Sequence, residues 1–81
     1  MTFEPFDELT RAVGNPHWYS EDGRHSYIIS GEEHQGRYLY VASAKLMPSK
    51  PFQGDTHLLG VFSSFEDAVA GCEKFSRERK Q

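Results

Sequence analysis

The sequence predicts an α+β fold: an N-terminal helix, an antiparallel meander of about four strands, and a C-terminal amphipathic helix packed on the sheet. Apolar residues recur at helical spacing near both ends of the chain, whereas the middle alternates and is interrupted by polar segments that contain glycine. The chain of 81 residues is enough for one small domain, so we expect residues 1–81 to form a single unit.

The first helix is predicted over Phe3–Val13. One helical stripe contains Phe3, Phe6, Leu9 and Val13. Thr2 is a candidate N-cap, and Pro5 falls in the first turn, where its missing N–H costs little. Gly14 is suited to the left-handed position that ends many helices, and the Asn15-Pro16 pair opposes any continuation.

Four extended segments follow this helix. The predicted strands are His17–Ser20, His25–Ser30, Arg37–Met47 and Leu58–Phe62. Asp22-Gly23 is a strong reversal signal, so Glu21–Arg24 is predicted to close a hairpin. Gly31–Gly36 is predicted to be a second, polar turn. Gly60 indicates a close approach or a bulge within the last strand.

The longest strand, Arg37–Met47, has apolar residues on both faces. One face carries Tyr38, Tyr40, Ala42, Ala44 and Leu46, and the other carries Leu39, Val41, Ser43, Lys45 and Met47. An antiparallel sheet with one solvated face alternates more cleanly than this. Either the two helices cover both faces within one chain, or the second face meets another molecule.

The second helix begins near Phe65 and is the most strongly patterned element. Its apolar stripe consists of Phe65, Ala68, Val69, Cys72 and Phe75. Ser63 with Glu66 fits a capping box, and Ser64 is the competing N-cap. Because Cys72 lies on the stripe, we expect it to act as a small hydrophobe and not as a nucleophile.

Charge is unevenly distributed along the chain. Residues 1–35 carry seven acidic and two basic side chains, whereas residues 36–81 carry five acidic and seven basic ones. Basic residues are thinly spread outside the C-terminal tail, which disfavours nucleic acid as a partner and favours a protein with a basic surface. A single cysteine, no signal-peptide pattern and no long apolar run predict a cytoplasmic protein without membrane contact.

The chain lacks the sequence patterns of catalytic and metal sites. Its four histidines do not have the spacing of zinc modules, and no phosphate-binding loop or nucleophile elbow occurs. We therefore expect no catalytic residues, no cofactor and no metal. The interpretation is a non-enzymatic protein-interaction or regulatory module, an adaptor or inhibitor of bacterial or phage type.

The candidate binding residues are aromatic side chains of the strands, acidic residues beside them and one loop phenylalanine. They are Trp18, Tyr19, Glu21, Asp22, Glu32, Glu33, Tyr38, Tyr40 and Phe52. Two alternatives stay open. One is a homodimer whose sheets or exposed strand edges meet. The other is a small-ligand or nucleic-acid-binding domain that uses the loop over residues 48–57 and the strand aromatics.

Overall fold

A computed structural model describes residues 1–47 and 56–79, which form five strands and two helices. In chain order they are β1 (Glu4–Pro5), α1 (Asp7–Val13), β2 (His17–Glu21), β3 (His25–His34), β4 (Arg37–Leu46), β5 (His57–Phe62) and α2 (Phe65–Arg79). The strands form one antiparallel sheet in the order β1-β2-β3-β4-β5, and α2 packs on β3, β4 and β5. The predicted α+β class and meander are confirmed, with one strand more than expected.

The additional strand lies inside the segment that was predicted to be helical. Glu4 and Pro5 pair with Tyr19 and Trp18 of β2, and the helix begins only at Asp7. The N-cap residue is Phe6, without a side-chain cap, so the prediction of a Thr2 cap is wrong. The apolar residues at helical spacing do not form one helical stripe, because they contact different parts of the fold. The ring of Phe3 packs against Phe65, whereas Leu9 of α1 is buried.

The two tight turns of the meander differ in how well the sequence predicts them. Gly23 has a φ of +87° in the β2–β3 turn, which confirms the reversal at Asp22-Gly23. The second turn contains only Gln35 and Gly36, both with positive φ, as two-residue hairpins require. The polar residues before it continue β3, so the predicted turn over Gly31–Gly36 is too long.

The core lies between α2 and one face of the sheet. Its buried members are Tyr27, Ile29, Ala42, Ala44, Ala68 and Cys72. The small side chains of β4 allow α2 to approach the sheet closely, and aromatic rings from both elements surround this centre. At the start of α2 the backbone N–H of Asp67 donates to Ser64 Oγ over 3.1 Å, which identifies Ser64 as the N-cap. Neither helix in the described residues has the length and hydropathy needed to cross a membrane.

We call the sheet face directed away from α2 the open face. Strand register places Glu4, Tyr19, Ile28, Ser43 and Leu58 in one row across it, and His17, Ser30, Val41 and Val61 in the next. The helix α1 begins beside Tyr19, and β2 is the only described strand that it contacts. The expectation that two helices cover both faces therefore holds only at the β2 side for the described part of the chain.

Candidate functional site

The structure separates the predicted binding aromatics onto the two faces of the sheet. The ring of Trp18 lies 5.0 Å from Phe65 and 6.1 Å from Tyr40, on the side covered by α2. Tyr38 continues this row at 5.3 Å from Tyr40 and is 45% exposed. Trp18 and Tyr40 thus pack at the margin of the core, and Tyr38 is the member that a partner would reach.

Tyr19 lies on the open face instead, where it meets the start of α1. Its ring makes an edge contact with Phe6 at 5.7 Å, and its hydroxyl group donates a 2.7 Å hydrogen bond to Glu21. Burial, together with the Glu21 carboxylate, raises the pKa of Tyr19 to about 12. The hydroxyl group therefore stays protonated and holds the Glu21 carboxylate in place at neutral pH.

A groove opens beside Tyr19. It has a volume of about 510 Å³ and is lined by Glu4, Pro5, Phe6, Asp7, Glu8 and Tyr19. Aromatic and proline side chains form its apolar surface, and three exposed carboxylates surround them. The uneven charge of the sequence therefore becomes a local acidic rim at the β1 side of the sheet.

Asp22 is half-buried in the β2–β3 turn and accepts four hydrogen bonds. Its Oδ1 accepts from the backbone N–H groups of Arg24 and His25, over 2.9 and 2.7 Å. Its Oδ2 accepts from the hydroxyl groups of Tyr27 and Ser76, over 2.6 and 2.5 Å. Desolvation alone would raise the pKa of Asp22, but these bonds outweigh it and hold the pKa well below its usual range. This carboxylate ties the β2–β3 turn to α2 and has little accepting capacity left for a partner.

The two acidic residues of β3, Glu32 and Glu33, lie on opposite faces of the sheet. Glu32 is paired with Leu39 and Glu33 with Tyr38, so their side chains leave opposite faces of the sheet. Both are exposed. Only Glu32 shares the open face with Tyr19 and Glu21. Phe52, the last predicted binding residue, lies outside the described residues, as does most of the loop to which it belongs.

The feature that sequence reasoning missed is an apolar strip on the open face. Val41 pairs with Val61, and Leu58 pairs with Ser43 one row further along. Leu58 is 67% exposed and Val61 is 55% exposed, whereas Val41 is half-buried between its neighbours. We define the apolar strip as Val41, Leu58 and Val61.

A register shift explains why the strip was hidden in the sequence. Strict alternation would place Leu58 and Val61 on opposite faces, since they are three positions apart. The β4–β5 pairing shifts between Ala42 and Ser43, where Gly60 pairs with Ala42 and Leu58 with Ser43. The extra residue on β5 brings the two side chains to one face. The residue in the sequence that indicates this register shift is Gly60, which has a φ of +154° in the structure.

Metal-binding and nucleophilic groups do not assemble into a reaction centre in the described residues. Across residues 1–47 and 56–79, no three His, Cys, Asp or Glu side chains come together as metal ligands would. Cys72 is fully buried, and that burial raises the pKa of its thiol to about 12. His25 is buried against Phe75, at a ring distance of 5.1 Å, with no hydrogen-bond partner at Nδ1.

Comparison of the chain with protein-family models, with curated proteins and with solved structures gave no match.

Proposed function

We propose that this protein is a non-enzymatic protein-binding module that recognises its partner through the open face of its sheet. The observation that carries the proposal is the apolar strip of Val41, Leu58 and Val61. Leu58 and Val61 expose 67% and 55% of their surface in adjacent rows of the open face. Contiguous exposed apolar surface with a polar rim marks interaction sites on soluble proteins.

The rim of this surface supports a partner with basic side chains. Strand register places three exposed acids, Glu4, Glu21 and Glu32, on the same face as the apolar strip, against one exposed base, Arg37, among the described strand residues. Here the charged residues lie on one side of the apolar strip, towards β1. Complementary charge between partners speeds their association and orients them. An adaptor or inhibitor that binds a basic surface fits this arrangement.

Two side chains that could take part in chemistry, Asp22 and Cys72, are used for structure, which supports a binding role over catalysis. Asp22 is saturated by four donors, and the Cys72 thiol is kept protonated by burial. A general base or nucleophile needs a titratable group that faces substrate with a pKa near the working pH. Neither residue meets that requirement.

A cytoplasmic location belongs to the same proposal. The chain has one cysteine, and it is buried as a free thiol, so the fold is held together by packing without a disulfide. Small secreted domains usually depend on disulfides.

The alternative of ligand or nucleic-acid binding through residues 48–57 stays a prediction. That loop lies mostly outside the described residues, and Trp18 and Tyr40 of the strand aromatics pack against Phe65.

The test is affinity capture with purified full chain as bait, comparing the wild type with Val41→Arg. A guanidinium group at the centre of the strip adds charge to an apolar contact and repels a basic partner. We expect a stoichiometric protein partner on the wild type, lost with Val41→Arg. The matched control is Val13→Arg, which places the same charge at an exposed site on α1.

Thermal melting of both variants separates loss of binding from loss of fold. A partner that a folded Val41→Arg variant still captures would place binding elsewhere. Trp18→Ala is unsuitable for this purpose, because it removes a ring that packs against Phe65 and Tyr40 and would weaken the fold.

A further inference from the structure

The two edges of the sheet are built differently. The β1 edge has two residues, a glutamate and a proline, and short, charged or proline-containing edges resist pairing with other chains. The β5 edge has six residues, His57–Phe62, without proline, aspartate, glutamate, lysine or arginine. No strand in the described part of the chain pairs with its outer side. β5 thus has neither proline nor charge to oppose pairing, although its register shift interrupts the regular ladder of backbone N–H and C=O groups.

Side chains on β5 add to this backbone signal. Leu58 and Val61 project from the open face at the edge, with exposed fractions of 67% and 55%. A pairing strand would place its own side chains beside both and extend the open face. The apolar strip therefore continues to the limit of the sheet and ends where a neighbour would add to it.

We infer that the occupant of this edge is a second copy of the chain, whose β5 pairs antiparallel across a two-fold axis between Leu59 and Gly60. In that register Leu58 of each copy lies opposite Val61 of the other. The register shift in β5 matters here, because it is what puts both side chains on the open face. The pairing joins the two apolar strips into one.

The charge distribution favours a second copy at this edge. A two-fold interface brings each residue near its own counterpart, so a charged edge strand would repel itself. β5 carries no Asp, Glu, Lys or Arg. The open-face acid nearest to β5 is Glu32 in β3, two strands away, which is about 10 Å at the usual spacing of about 4.8 Å and exceeds the Debye length of about 8 Å. Edge pairing therefore keeps the open-face acids of the two copies apart.

This inference does not rest on the proposed function. The second copy pairs with the outer side of β5, whereas the partner of the proposed function contacts the open face. A dimer joined at β5 presents two open faces side by side and would bind a repetitive or dimeric partner with avidity.

The test is the mass of the full chain in solution, measured by sedimentation equilibrium over a dilution series. We expect the wild type to have twice the mass of one chain at high concentration and to dissociate on dilution. Leu58→Lys with Val61→Lys places like charges opposite each other and should give a monomer at every concentration. Leu58→Lys with Val61→Glu places opposite charges across the axis and should recover the dimer.

Two controls test whether Leu58 lies opposite Val61 of the other copy and whether β5 is the strand that pairs. Leu58→Lys with Val13→Glu carries the same charges but cannot pair them across the axis, so it should stay monomeric. Amide hydrogen exchange of the wild type should show the β5 amides that point away from β4 protected at high concentration and exposed on dilution, independently of any variant. A wild type that is monomeric throughout overturns the proposal, as does a dimer that persists in the folded Leu58→Lys, Val61→Lys variant. Val41→Arg, which tests the proposed function, should remain dimeric.

Discussion

The hydroxyl group of Ser76 donates a 2.5 Å hydrogen bond to the carboxylate of Asp22, although the two residues are 54 positions apart. The same oxygen accepts from the hydroxyl group of Tyr27 over 2.6 Å. Ser76 lies in α2 and Asp22 in the β2–β3 turn, so this contact fixes the C-terminal part of the helix to the sheet. Its strength comes from a carboxylate that accepts four bonds and stays ionised.

We expect Asp22→Asn to lower the free energy of unfolding by about 2 kcal/mol, the usual range for hydrogen bonds to a charged group. The amide retains one oxygen for the turn but replaces the acceptor of Tyr27 and Ser76 with a donor. Urea denaturation at neutral pH measures the loss. Ser76→Ala removes one donor only and should have a smaller effect.

The same residue gives a pH dependence whose sign follows from its lowered pKa. The unfolded chain binds a proton at Asp22 near pH 3.9, whereas the folded chain resists protonation until a lower pH. The stabilisation is complete above the unfolded pKa and is lost as the pH falls through the folded one. We therefore expect the wild type to lose more stability than Asp22→Asn on acidification. Parallel acid profiles for the two proteins would show that Asp22 is not linked to folding.

The N-terminus of α2 provides a comparison between adjacent serines. Ser64 Oγ accepts from the N–H of Asp67, and within residues 1–47 and 56–79 no such bond involves Ser63. Ser64→Ala should lower the free energy of unfolding by about 1 kcal/mol, as loss of an N-cap usually does. Ser63→Ala is the matched control and should change it little, because Ser63 is exposed. Equal effects at both positions, measured by urea denaturation, would contradict the assignment.

Elements whose signal is local were predictable from the sequence. The stripe of α2 and the Asp22-Gly23 turn depend on spacing and on the φ preference of glycine, and both were found. The β1 strand was not predictable, because two residues carry no periodicity and their pairing with β2 is a tertiary event. Phe3 and Phe6 fit a helical stripe only because their different partners happened to match that spacing.

The candidate site was less predictable than the fold, for two physical reasons. A binding role for an aromatic residue depends on the face it occupies, and Trp18 and Tyr19 are adjacent yet lie on opposite faces. The exposure of Leu58 and Val61 depends on a register shift that reverses the alternation of β5. The alternation of Trp18 and Tyr19 and the signal at Gly60 are local, but which face α2 covers and how β5 pairs with β4 depend on tertiary packing.

Cys72 should be inert to thiol reagents in the folded protein. It is fully buried, and the reactive thiolate is disfavoured by a pKa of about 12. We expect labelling by a chromogenic disulfide to require unfolding, so that its rate rises with urea in parallel with the unfolded fraction. Rapid stoichiometric labelling without urea would show that the helix does not bury this side chain.

A raised pKa also predicts alkaline sensitivity. The unfolded thiol loses its proton near pH 8.5, before the folded one, so the free energy of unfolding should fall as the pH rises past about 9. Cys72→Ala should show a shallower decline over the same range. The remaining decline is expected from Tyr27, whose pKa is raised by burial and by the Asp22 carboxylate, and from Tyr19, whose pKa is raised to about 12.

The ring of Phe62 lies between two glycines, and this contact predicts an unusual response to substitution. A Cβ atom at Gly71 of α2 would lie 2.7 Å from Cζ of Phe62, and one at Gly60 of β5 would lie 3.1 Å from it. In an exposed helix interior, replacing glycine with alanine stabilises by up to about 1 kcal/mol. Here we expect Gly71→Ala to destabilise by about 1–2 kcal/mol, because the ring must shift and the core is overpacked. Urea denaturation in a Phe62→Leu background is the control, since the smaller side chain should restore the usual gain. A stabilising Gly71→Ala substitution in the wild-type background would show that the ring moves aside freely and that α2 does not need glycine to approach β5.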